Sequence, residues 1–79
     1  MKVYIYAIKD VKRGSFMNLW TEANDDTAMR NFDSIKRDRS TLIGMYPGDF
    51  ELWNIGSFND KSGALETTLY YVSGGAVVE

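Results

Sequence analysis

Seventy-nine residues with 44% hydrophobic content, a single proline and a net charge of −2 describe one folded domain over 1–79 rather than a disordered tail. A chain this short buries only about 60–65% of its unfolded surface, so its core is thin and association with a second copy is the common remedy. With no cysteine and no histidine, disulfides, thiolate metal sites and the usual general base are all excluded, and the acidic balance argues against indiscriminate adhesion to polyanions.

Residues 2–9 read as a strand, with Val3, Ile5 and Ala7 on one side and Tyr4, Tyr6 and Ile8 on the other. Both sides are apolar, which predicts a central strand covered on both faces. The stretch mimics the start of a signal peptide, but Asp10, Lys12 and Arg13 interrupt it early, and no apolar run approaches the ~20 residues that span a membrane. A polar connection turning at Gly14 leads to a second strand over 16–21, making a hairpin with the first. Asn24 then caps a helix over 25–37, with Asp25 and Asp26 at its positive end and Lys36, Arg37 and Arg39 at its negative end. Ala28, Met29, Phe32 and Ile35 form its apolar stripe, with the Lys36 stem at the edge.

Leu42 and Ile43 are expected in a short loop beneath the helix. Pro47 and Gly48 suggest a type II turn, in which glycine supplies the positive φ. A third strand over 49–57, a hairpin loop over 59–63 and a fourth strand over 64–72 follow. Ser73-Gly74-Gly75 breaks the pattern and leaves the end of the chain as a tail or edge piece. The expected fold is α+β: a four-stranded antiparallel sheet with one helix, in the order ββαββ.

Catalysis is not expected. Serines and threonines have no histidine or cysteine beside them, and there is no G-x-S-x-G elbow, Walker sequence or G-x-G-x-x-G loop. Asp25-Asp26 and the Asp49/Glu51 pair are two-carboxylate candidates, but helix-end complementation and turn capping account for them. No catalytic residue, metal ligand or cofactor is assigned.

The one positive signal is cations interleaved with aromatics. The first 40 residues hold eight Lys/Arg against six Asp/Glu, while residues 41–79 hold one lysine against five acids. Lys9, Lys12, Arg13, Arg30, Lys36, Arg37 and Arg39 are candidates for phosphate contact, and Tyr4, Tyr6 and Trp20 for base stacking, the combination that grips single-stranded nucleic acid. The competing reading is that the aromatics are strand formers and the cations cap a helix. Eleven aromatics exceed what so thin a core can hide, so some are expected on a sheet face covered by a twin subunit or a ligand.

Ala28-x-Arg30-x-Phe32, followed by Tyr46-Pro47-Gly48-Asp49-Phe50-x-Leu52-Trp53-x-Ile55-Gly56-x-Phe58 and a turn at Gly63, resembles the small non-structural protein of gokushovirus-like microviruses, tailless phages with circular single-stranded DNA. The likeness runs to about residue 65. It implies a viral, non-structural DNA-binding protein that assists genome replication or packaging; joined to the residue pattern and the thin core, the expectation is a homodimer in the host cytoplasm that binds single-stranded DNA. The alternative is a non-enzymatic module that contacts a phage or host protein through an apolar sheet face.

Overall fold

The computed structural model describes residues 1–74 and has four antiparallel strands with one main helix, in the order ββαββ. Strand β1 (Lys2–Asp10) and β2 (Ser15–Glu22) form the first hairpin, and helix α1 (Asp25–Arg37) follows. A one-turn helix α2 (Leu42–Met45) and a 3-10 turn (Pro47–Asp49) lead into β3 (Phe50–Asn59) and β4 (Leu65–Gly74). The sheet order is β2-β1-β3-β4, which makes β1 an inner strand as its two-sided apolar pattern requires.

Helix α1 forms where its signals lie. The Asn24 side chain accepts the Thr27 amide N–H at 2.9 Å, and Asp25 and Asp26 occupy the first turn. At the far end the Asp38 amide donates to the Ile35 carbonyl at 3.1 Å. Ala28 and Phe32 are buried and pack with Tyr6, Ile8, Ile43, Phe50 and Leu52, with Met17, Trp20, Met29, Ile35 and Val72 around them. Truncating a ring such as Phe32 in so small a core would cost ~3–5 kcal/mol.

Several details differ from the sequence reading. The helix covers one face of β1 only, and no element lies over the other among the described residues, so the strand is not sandwiched. Pro47 and Gly48 do not make a type II turn, because Gly48 is absent from the positive-φ glycines, which are Gly14, Gly63 and Gly74. The Asp49 amide instead bonds the Tyr46 carbonyl at 3.0 Å, and proline at the first position suits that tight winding. Asp49 therefore lies in this turn, before β3 begins. The segment around Leu42 and Ile43 closes as α2 because the Thr41 hydroxyl accepts the Gly44 amide N–H at 2.9 Å. Strand β4 continues through Ser73 and Gly74, past the expected break, and the anticipated tail lies outside the described residues.

Four register shifts among the described residues shape the sheet. Asn18 and Leu19 oppose the single residue Ala7, with Asn18 at φ 56°. Ile55 is the extra residue of β3 against β1. Strand β4 carries an extra residue on each side of the pairs Trp53↔Tyr71 and Asn54↔Tyr70, and Leu69 sits beside them at φ 48°. Such bulges bend a strand and re-aim its side chains.

Candidate nucleic-acid interface

Alternation along the strands sorts the side chains into two sets. Tyr4, Tyr6 and Ile8 of β1, Leu52 of β3, and Met17 and Trp20 of β2 pack toward α1. Their neighbours Ala7 and Lys9, with Phe16 and Trp53, lie on the face the helix leaves bare.

A row of rings crosses that bare face. Phe16 and Trp53 meet edge to face with centroids 5.8 Å apart, and Trp53 and Tyr71 do so at 6.1 Å. Phe16 and Trp53 sit on strands separated by β1, so they must meet across it. Ala7, directly paired with Trp53, is small enough to let them. The Trp53 indole N–H donates to Glu51 at 3.1 Å, fixing the ring in its plane. The Lys9 ammonium lies 5.4 Å from the Trp53 centroid and 5.8 Å from that of Phe16. Phe16 is 43% exposed and Tyr71 50%, so ring surface remains open to a guest.

The β1–β2 turn follows Lys9 directly and carries Lys12 and Arg13, both exposed. Its shape is set by Asp10, whose carboxylate accepts the Arg13 amide at 3.1 Å and whose carbonyl accepts the Gly14 amide at 2.8 Å, with Gly14 at φ 71°. Lys9, Lys12 and Arg13 thus stand at the β2 end of the aromatic row.

The other candidates lie elsewhere. Tyr6 is fully buried and presents no face for stacking. Its hydroxyl donates to Asp25 at 2.5 Å. Trp20 is half-buried on the helix side, 6.0 Å from the Tyr6 ring, with its indole N–H bonded to Glu22 at 3.1 Å. Tyr4 is also half-buried there, with the Lys2 ammonium 6.0 Å from its centroid. Lys36 is spent on the fold: it pairs with Asp33 at 3.3 Å, lies 4.9 Å from the Phe32 centroid, and its side chain is 7% exposed. Arg30 and Arg37 line a shallow depression on α1 with Asp26 and Asp33, on the molecule's opposite side, and their charge is offset there. Arg39 is exposed just past the helix. Trp53 and Tyr71, which the sequence reading did not choose, are the residues that build the row. For Trp53 the signal available was alternation against Leu52 within β3.

Beneath the row, on the helix side, lies a polar cluster. Asp25 accepts from Tyr6, from Tyr70 at 2.7 Å and from the Asn54 amide at 3.1 Å. Asn54 also donates to the Tyr70 hydroxyl at 2.9 Å, and Thr68 donates to Asn54. Burial, then the bond to Asp25, pushes the Tyr6 hydroxyl well above its ordinary value. The bond to Asp25, then burial, pushes Tyr70 up to about 12. Burial draws the Asp25 carboxyl upward, but the bonds from Tyr6, Tyr70 and Asn54 outweigh it and hold it below the usual range. Among the described residues no group of three or more acidic side chains is placed to hold a metal ion.

The family model described as Phage ORF5 protein matches residues 3–73, nearly all of this architecture. The chain belongs to the Phage ORF5 protein family. No curated protein and no solved structure matches it. The matched span takes in the aromatic row, the turn cations and the Asp25 cluster alike. No helix among the described residues is long and apolar enough to cross a membrane.

Proposed function

We propose that this phage protein binds single-stranded DNA, without transforming it, on the bare face of its sheet. Its setting is the host cytoplasm during genome replication or packaging of a gokushovirus-like microvirus. The observation that carries this reading is the row Phe16–Trp53–Tyr71 with the Lys9 ammonium lying over two of its rings. Rings on an uncovered antiparallel sheet stack bases at ~1–3 kcal/mol each, and adjacent cations meet the phosphates. Lys12 and Arg13 are the nearest exposed cations along the chain. Cations that meet phosphates release condensed counterions, so binding of this kind is salt-sensitive, and the chain's net charge of −2 keeps it weak.

Fluorescence anisotropy of a labelled oligo-dT at low and moderate salt tests it. Saturable binding that salt weakens, and that Trp53→Ala reduces at least ~5-fold, supports the reading. No binding at low salt refutes it.

A specific observation favours a second reading. Leu19, Leu65 and Leu69 are exposed at 66%, 69% and 53%, and Leu65 pairs with Phe58 beside the bare face. Apolar side chains so open suit a protein interface, with a second copy in a homodimer or with a phage or host protein. Light scattering reports the dimer. A stable dimer that excludes oligonucleotide would assign the face to protein.

A further inference from the structure

The pairs Trp53↔Tyr71 and Asn54↔Tyr70 form a two-residue island, because the β3–β4 register shifts on both of its sides. A ladder this short, at an edge strand with a residue at positive φ next to it, is weakly held by backbone pairing alone. Each pair commits both of its side chains to one face. Trp53 and Tyr71 point outward into the aromatic row, while Asn54 and Tyr70 point inward to Asp25. Asn54 is fully buried, and its amide bonds to both Asp25 and Tyr70, closing a ring of three contacts. Asp25 itself belongs to the first turn of α1, which is anchored on the sheet by Ala28 and Phe32.

We infer that Asp25, Asn54 and Tyr70 are positioning residues for the binding face: they lock the β3–β4 register where the ladder breaks and so fix Tyr71 beside Trp53. This rests on the proposed DNA-binding reading for its consequence, but not for its geometry. None of the three hydrogen-bonding groups faces the guest, so their effect is transmitted through the backbone of residues 53–54 and 70–71. The coupling is reciprocal, and a guest stacked on Tyr71 tightens the cluster beneath it.

The test is a double-mutant cycle of Tyr70→Phe and Tyr71→Ala on oligo-dT affinity, with the Trp53 indole N–H resonance followed in the free protein. Tyr70→Phe removes one hydroxyl and leaves the ring, so folding is retained. It is expected to weaken binding up to roughly tenfold, about the worth of one stacked base, without changing the salt slope. In the Tyr71→Ala background the same change is expected to cost nothing further, because the ring it positions is gone. Equal losses in both backgrounds would overturn the inference, as would an unmoved Trp53 resonance in free Tyr70→Phe protein. If the unmutated protein binds no oligonucleotide, the DNA reading fails, and the Trp53 resonance alone decides whether the cluster sets the face.

Discussion

Tyr6 and Asp25 are joined by a hydrogen bond of 2.5 Å that crosses from the inner strand to the first turn of the helix. The bond ties the start of α1 to the middle of the sheet and takes the Tyr6 ring out of any contact with a guest. It also makes the fold's stability respond to pH at both extremes.

Asp25 has a folded-state pKa below its ordinary 3.8, so its contribution is present above that value and is lost as pH falls through the folded pKa. Asp38, whose carboxylate accepts two bonds from Ser40, acts in the same direction. Tyr6 and Tyr70 are raised from 10.0, so theirs is fully present below that pH and is lost as pH climbs through about 12 for Tyr70 and higher for Tyr6. The melting temperature should therefore be flat near neutrality and fall at both ends. Replacing Tyr6 by Phe should cost about 1–2 kcal/mol near neutrality and flatten the alkaline limb. An alkaline limb that is identical with and without the two hydroxyls would refute the assignment.

Gly44 is sterically obligatory. A Cβ there would stand 1.8 Å from the Asp38 carbonyl oxygen and 2.4 Å from its carbon, both backbone atoms that cannot rotate away. Gly44→Ala should destabilise by more than ~2 kcal/mol, read as a lower denaturant midpoint. Gly63 is the contrast. It has φ +79° but open space around it, so Gly63→Ala should cost only the left-handed conformation, ~1 kcal/mol. Equal midpoints for the two variants would contradict this contrast.

The placement of the cations predicts which of them a nucleic acid would feel. Reversing Lys12 and Arg13 to glutamate should weaken oligo-dT binding and flatten its log–log salt slope by about 1.4, the value for two single-strand phosphate contacts. Reversing Arg30 and Arg37, which lie on the outer face of α1 among Asp26 and Asp33, should leave the slope unchanged. The opposite pattern would move the binding surface from the sheet to the helix.

Helix α1 was legible to the residue. Asn24, the paired aspartates and the Ala28–Phe32–Ile35 spacing are local signals, and the observed Asp25–Arg37 matches them. The inner position of β1 was expected from its apolar pattern and holds, whereas the cover expected over both of its faces is present on one only. The turn at Pro47-Gly48 was misjudged, since type II and 3-10 windings share proline at the same position and differ only in what the following residues bond. Strand ends slid by one or two residues, because nothing in a strand's sequence plays the part of a helix cap.

Which face of the sheet stays uncovered lay beyond the sequence. Tyr4, Tyr6 and Trp20 are as aromatic as Phe16, Trp53 and Tyr71, and period-two alternation separates the strands' two sides without saying which side the helix will cover. The chain alone determined the element order, the helix bounds, and the lack of cysteine and histidine. Tertiary structure decided that the helix settles on Tyr6 and Leu52, and that decision left Trp53 on the uncovered side, half-buried between Phe16 and Tyr71. The physical reason is that a side chain's face is a local property, whereas its exposure depends on which distant element packs against it.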